Sequence, residues 1–365
     1  MNFNSSEFRK SFFADYEKLI KIPSPSGYSE RKSQYLLEKI QKYCQNVYRS
    51  STGNTYCFCP GKSKKSILFL SHFDVLGLTI DHIKKNGRIA FKPEGDFMFQ
   101  SIENSPCTVH SASGDYSGII RTTQSSLHLF KETAREQKRG EENMEIILHL
   151  LNKKNMPILS KKDLEQYGIC SGDPISLDPL YQHFDNGFIV SRGHDNQSGT
   201  QILLTLIELI SKVNFVPDYN LLFSFNHCEE RGYPTFIPTE FFKNLLGPDN
   251  FYVIAVDAIL NDENQDLNEK MTYICTKDKI HRYHSKLSKH LKIIAQKNKI
   301  LHQSGYMKNY GTELSMKFLY GYDAITGMIG PVVDAMHSIE RTHEDSIVNS
   351  IKVIWHMITD MPFEI

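Results

Sequence analysis

The sequence predicts an α/β fold: a mixed, largely parallel central sheet flanked by helices, with a small β-rich domain inserted. Three observations predict it. Short continuous apolar runs, such as Ile67–Leu70, Leu221–Phe225 and Phe251–Val256, read as strands buried on both faces. Helical patterns separate these runs, the alternation expected of a layered α/β structure. From about Leu78 to Asp185 the pattern changes. There Gly87, Gly95, Gly114, Gly118 and Gly168 punctuate short runs such as Arg88-Ile89-Ala90-Phe91, as in a small β domain.

The elements follow in order. Phe8, Phe12, Phe13, Tyr16, Leu19 and Ile20 fall at helical spacing, and Pro23-Ser24-Pro25-Ser26-Gly27 ends that helix. A second helix carries Tyr35, Leu36, Ile40 and Tyr43 on one face, and Gly53-Asn54 opens a turn. The run Ile67–Leu70 leads into Ser71-His72-Phe73-Asp74. Within the inserted region, Lys131–Glu142 is nearly all polar and reads as an exposed loop or solvated helix. A helix from Gln201 to Lys212 presents Ile202, Leu203, Leu206, Ile207 and Ile210. The last helix, starting near Glu344 or Asp345, carries Ile347, Ile351, Ile354, Trp355 and Ile358 on one side.

Composition excludes several partners. The 365 residues suffice for a large core and two domains. Lys+Arg and Asp+Glu both number 42, so overall charge favours neither nucleic acid nor an anionic membrane. No stretch approaches the roughly 18 apolar residues of a membrane span, and the N-terminus lacks a secretory pattern. Seven scattered cysteines suit reduced thiols in a cytoplasm better than a disulfide framework. Cys57 and Cys59 share one face of a strand and read as packing residues rather than metal ligands.

The chemistry-bearing residues lie at the ends of the buried strands, where loops of an open α/β sheet converge. His72 and Asp74 follow the first strand, and Asp74 is placed to orient the imidazole region of His72. Asp195 precedes the long helix, the pair Glu229-Glu230 follows a strand, Asp257 ends another, and His337 lies near the last helix. Adjacent carboxylates at a strand end can divide metal-assisted hydrolysis, one holding an ion and the other moving a proton; adjacency leaves the order open. Each residue alone has an ordinary structural explanation. His72 fits a core histidine, Asp195 a helix cap, and Glu229 and Glu230 surface charges, while Asp257 suits a turn and His337 a loop cap. Their joint occurrence at successive strand ends favours a site.

These motifs resemble the M42 family of metallo-aminopeptidases, within the clan of co-catalytic zinc exopeptidases. Pro25-Ser26-Gly27 and Gly53-Asn54 are similar to its N-terminal stretch, and His72-Phe73-Asp74-Val75-Leu76-Gly77 to its His-x-Asp-x-x-Gly motif. Gly168-Ile169-Cys170-Ser171-Gly172-Asp173, His194-Asp195-Asn196-Gln197-Ser198-Gly199, Tyr310-Gly311-Thr312-Glu313 and His337-Ser338-Ile339-Glu340 continue the resemblance in order over most of the chain. It implies that Asp195 bridges two divalent ions, that His72 and Asp257 complete one site, and that Glu230 and His337 complete the other. Glu229 is then the general base and Asp74 its catalytic companion. Zinc is the expected metal, with cobalt or manganese as alternatives.

The resemblance also implies peptide substrates cut at the N-terminal residue, and a homo-oligomer, a dimer or a dodecamer. Residues 1–77 and 186–365 would form the catalytic domain, and 78–185 an inserted domain serving oligomerisation or substrate access. The chain departs from the family pattern at Gln197, where a basic residue is common, at Glu313, which replaces an aspartate, and at Val75, which often has an acidic counterpart. None of these removes an expected ligand. A metal-dependent deacylase or carboxypeptidase, or a non-catalytic assembly protein of the same fold, are the alternative readings.

Overall fold

A computed structural model describes residues 2–232, 251–261, 267–309, 311–318 and 324–360. Tyr310, quoted above in a family motif, lies outside the described residues. The first strands are β1 (Val47–Arg49), β2 (Thr55–Cys59) and β3 (Ser66–His72). Next come β4 (Gly77–Ile83), β5 (Ile89–Glu94), β6 (Pro106–Ser111), β7 (Gly114–Thr122), β8 (Met144–Leu148) and β9 (Pro174–Leu177). After β10 (Gln182–His183) and β11 (Phe188–Ser191) follow β12 (Asn220–Asn226), β13 (Phe251–Val256) and β14 (Ile259–Leu260). The last are β15 (Thr272–Lys277), β16 (His302–Tyr306), β17 (Ile325–Val333) and β18 (Glu340–His343).

The central sheet runs in the order β1-β2-β12-β3-β13-β17-β15-β16, with β14 also paired to β17. Strands β12, β3, β13 and β17 are mutually parallel, whereas β2 and β15 join antiparallel. Every residue of β3 is buried because both sheet faces are covered. Ile67 and Phe69 enter one apolar cluster with the helices Ser6–Lys21, His194–Lys212, Ser285–Lys297 and Glu344–Thr359. Leu68 and Leu70 enter a second with Tyr283 and Leu314. A side chain such as Phe223, sealed completely, stabilises the fold by about 2–3 kcal/mol relative to its exposed state.

Local chemistry sets the helix ends. Ser5 caps Ser6–Lys21 by accepting the Phe8 N–H at 3.3 Å, and Ile22-Pro23 ends it. The second helix, Glu30–Gln41, stops before Tyr43, which the spacing had assigned to it; Tyr43 instead donates its N–H to Ile40 O in the following turn. The helical segment His194–Lys212 starts seven residues before the apolar pattern at Gln201 and is kinked at Asp195 and Asn196, whose dihedrals are not helical. Its opening residues are polar yet buried, so hydrophobic periodicity could not mark them. Glu344–Thr359 buries Val348, Val353 and Met357 as well as its expected face, since it packs against the sheet and two helices.

Six strands close an antiparallel barrel in the order β4-β5-β8-β7-β6-β9. It has its own core, including Leu78, Ile80, Phe91, Val109, Ile146 and Ile175. The polar segment Lys131–Glu142 is mostly exposed and contains the short helix Glu132–Glu136. A small sheet, β10-β11-β18, then links the regions and pairs Ser191 with Glu340. That pairing brings the chain before His194 beside the chain after His337.

Candidate metal centre

Three parallel strands end level at one edge of the sheet. Asn226 of β12 pairs with His72 of β3, and Ala255 of β13 pairs with Leu70, so Asp257 emerges beside His72. The neighbouring strand must come unusually close here. A Cβ at Gly330 of β17 would lie 1.6 Å from Asp257 O, so only glycine lets β17 pass. Asp195 reaches the same edge from the start of its helix. Asn196 pins that start to two strands, donating to Ser71 Oγ at 3.0 Å and Val256 O at 2.9 Å. The Asp195–Asn196 peptide bond is cis.

Glu229 and Glu230 lie on a short 3-10 turn between the left-handed residues Cys228 and Gly232. Asp74 holds this turn. Its Oδ1 accepts the Glu229 N–H at 3.2 Å, its Oδ2 accepts the Glu230 N–H at 3.3 Å, and the Ser26 hydroxyl also donates to it. His337, at φ 63°, is fixed by its N–H on Glu340 Oε1 at 3.2 Å. The second Glu340 oxygen accepts the Asp195 N–H, also at 3.2 Å. Glu340 thus ties the two segments together.

The expected residues form two ligand groups that share Asp195: His72, Asp195 and Asp257, and Asp195, Glu230 and His337. His72 Nε2 lies 3.1 Å from Asp195 Oδ1 and 3.6 Å from Asp257 Oδ1. His337 Nε2 lies 3.5 Å from both Asp195 Oδ2 and Glu230 Oε2. Glu229 stands to one side, with Oε2 3.8 Å from His72 Nε2. Its side chain is 20% exposed and that of His337 37%, against 5% or less for the other four, so the centre opens on their side.

Histidine orientation tests whether cations fit. His337 Nδ1 faces Asp96 O at 2.6 Å and His72 Nδ1 faces Asp74 O at 3.2 Å. A carbonyl can only accept, so each Nδ1 carries a hydrogen, and a neutral ring would point its Nε2 lone pair at carboxylate oxygens. Lone pair against carboxylate is repulsive unless a proton or a cation lies between.

The electrostatics agree. Burial, together with the Asp257, Asp195 and Asp74 charges, pushes Glu229 up to about 8. Burial and Asp195 push Glu340 up to about 8 and raise Glu230 well above the usual carboxylate range. Burial opposes charge on His337, but Asp195 and Glu230 raise it to about 10. Asp195 is held low despite its burial by hydrogen bonds with His337 and His72. Carboxylates packed this tightly need more positive charge than two imidazoles supply, and mixed histidine and carboxylate donors suit zinc, cobalt or manganese. The residues therefore fit divalent cations.

Two supporting residues were not anticipated as part of the site. Glu340 is one, although its motif was noted. Lys32 is the other. Fully buried, it donates to Gln197 Oε1 at 2.8 Å, while Gln197 Nε2 donates to Phe73 O at 2.6 Å. Lys32 thus brings an amino group to Gln197, one of the positions at which the chain departs from the expected family pattern. The available signal was its spacing: Lys32, Leu36 and Ile40 occupy one stripe of a helix, a charge in an apolar row. The other departures also have defined places. Glu313 accepts both oxygens' worth of Asn226 Nδ2 contact, at 2.9 and 2.7 Å, and Val75 packs beside Gly193. Val75 also lines a cavity of about 180 Å³ with Leu76, Phe97, Arg192, Asp195 and His337.

Comparison with known proteins gives a consistent result. Residues 53–353 match the family described as M42 glutamyl aminopeptidase. YhfE of Bacillus subtilis (strain 168), described as an inferred aminopeptidase, is 31% identical over 344 residues, 94% of this chain and 95% of that protein. Among solved structures, the TET aminopeptidase of the marine sediment archaeon Thaumarchaeota archaeon SCGC AB-539-E09 superposes with a TM-score of 0.82 at 18% identity, over 96% of this chain and 97% of that one. The TET1 peptidase of Pyrococcus horikoshii, which can assemble into a tetrahedron or a large octahedral shell, gives 0.79 at 22% identity, over 96% and 99%.

Proposed function

Because the chain belongs to the M42 glutamyl aminopeptidase family, we propose that it removes N-terminal residues from peptides with two divalent cations, zinc in the first instance. One observation carries this reading: two donor groups share Asp195, each with a histidine Nε2 facing carboxylates. His72 and Asp257 would hold one cation, Glu230 and His337 the other, and Asp195 both. Bound there, the cations supply Lewis acidity, polarising a carbonyl and acidifying water.

The chain's own residues do the rest. Glu229 takes a proton from the attacking water and delivers it to the leaving amine, from the side where the centre is open. Asp74 fixes the turn that carries Glu229 and Glu230, and its backbone carbonyl fixes the His72 ring. The α-amino group of a peptide finds carboxylates at the mouth of the centre, and the first side chain enters the cavity lined by Leu76 and Phe97. Cleavage is thereby limited to the terminal residue.

The catalytic domain in this reading comprises residues 1–77 and 186–365. Residues 78–185 form the inserted domain and serve self-assembly and substrate access. Exposed apolar side chains support that role, with Leu127, Leu129 and Phe130 in one segment and Met156 and Leu159 in another. A dimer or a dodecamer is the expected assembly. The decisive experiment joins metal analysis to an aminoacyl-anilide screen on wild type and Glu229→Gln. About two ions per chain in both, with hydrolysis lost only in the variant, is the expected result. Turnover only of N-acylated substrates would move the protein to the deacylases.

A further inference from the structure

A second group of potential metal ligands shares no residue with those at the sheet edge. It consists only of cysteines. Cys57 and Cys59 are two residues apart on β2 and face the same side, both buried. The packing role expected of them holds, since both belong to the main apolar core. Cys44 joins them from the turn after the helix Glu30–Gln41. Its N–H bonds to Ile40 O at 2.9 Å, Phe58 donates its N–H to Asn46 O at 2.9 Å, and β1 then pairs with β2. Turn and strand are thus held side by side. The Cys44 thiol contacts Phe58 O at 3.3 Å, and all three sulfurs lie within 4.8 Å of one another.

We propose that Cys44, Cys57 and Cys59 form a thiolate site for a single thiophilic cation, of which Cu(I) is the best match. With metal–sulfur bonds of about 2.3 Å, a planar three-sulfur site places its sulfurs about 4 Å apart. The three sulfurs, all within 4.8 Å of one another, lie close to that spacing. The donor set is all sulfur, with neither carboxylate nor imidazole in the group. Soft donors select soft cations, whereas the carboxylate-rich centre selects borderline ones, so the two sites draw on different metals.

A cation entering through partly buried Cys44 displaces the thiol protons to solvent as the sulfurs bind. Bound, it would tie the turn to β2, the strand next to the edge of the central sheet.

The test is a titration of the reduced full-length protein, its carboxylate centre loaded with zinc, with Cu(I) against a chromophoric Cu(I) chelator. Wild type and Cys170→Ser, which alters an exposed thiol outside the group, should each take up about one equivalent per chain; Cys44→Ser and Cys57→Ser should retain under a tenth of it. Cu(I) should also protect Cys44 of wild type from alkylation at least tenfold, read by peptide mass, which decides the matter even if a variant misfolds. Equal uptake by wild type and a folded Cys44→Ser, or unprotected Cys44 in the presence of Cu(I), overturns the proposal.

Discussion

Lys32 Nζ stands 2.8 Å from Gln197 Oε1, and both side chains are sealed from solvent. Burial lowers the Lys32 pKa well below that of a free lysine, and the Asp74 charge opposes the shift. The interaction runs on through Gln197 Nε2 to Phe73 O, one residue from Asp74. Lys32→Met leaves the Gln197 oxygen without its donor and removes the amino group near Asp74. We expect kcat to fall about tenfold or more, as for other groups that orient metal ligands from outside. KM should move little, because Lys32 does not line the cavity beside Asp195. A rise in KM with unchanged kcat would instead put Lys32 in substrate binding.

Asp74 gives a second test. Its two oxygens receive one N–H each from Glu229 and Glu230, which requires an acceptor on both sides. Asp74→Asn offers one acceptor and one donor, so one N–H of the turn meets an N–H. Steady-state kinetics should show kcat reduced about 10–100-fold, equivalent to about 1.4–2.7 kcal/mol of transition-state stabilisation. Metal content measured in parallel should stay near the wild-type value. Loss of both ions would show that Asp74 holds the metals rather than the turn.

Metal removal should destabilise the fold, because it returns a crowded set of carboxylates to mutual repulsion. Each ion present at 100 times its dissociation constant stabilises the native state by about 2.7 kcal/mol. Chelation should therefore lower the thermal midpoint by several degrees, and zinc should restore it. His337→Ala removes a ligand from one group only and should take bound metal from about two ions to about one. An unchanged midpoint after complete chelation would contradict the reading.

How much of this was legible in the chain varied with the range of the interaction. The strand ends at His72, Glu229 and Asp257 could be located because each follows a continuous apolar run, a local signal. The start of the helix at His194 could not, since its buried polar residues are paid for by distant partners such as Ser71 and Val256. Lys32 reaches Gln197 across 165 positions, and no local pattern encodes that contact. Cys44 likewise met Cys57 and Cys59 only when the turn folded against β2. Barrel closure depends on β4 pairing with β9, again a contact between remote segments.

The barrel meets the rest of the chain at Arg31, whose guanidinium grips Asp115 of β7 with two hydrogen bonds, one of 2.8 Å. Arg31 is the main reason that Asp115 is held down at about 2, against 3.8 for a free aspartate. A depressed folded-state value means that the pair stabilises fully above the unfolded pKa and loses its contribution as pH falls toward the folded one. Both side chains are more than a third exposed, so that contribution is at most about 1 kcal/mol. The stability difference between wild type and Asp115→Asn, from urea unfolding, should be constant from pH 7 to 5 and roughly halved by pH 3. A difference that grows on acidification would mean that Asp115 is repelled, not held.

Assembly supplies the last prediction. Leu129 is 76% exposed and Leu159 68%, which leaves both side chains available to a partner copy. Neither belongs to the barrel core, so a charge at either position should leave the barrel folded. If these leucines cover each other's surfaces between copies, Leu129→Glu and Leu159→Glu should lower the mass measured by light scattering in size-exclusion chromatography. The far-UV spectrum and thermal midpoint of the subunit should change little. A single chain that still cleaves aminoacyl anilides would then separate catalysis from assembly, because every proposed ligand, and Glu229 with them, comes from one chain. Oligomers of unchanged mass in both variants would place the interface elsewhere.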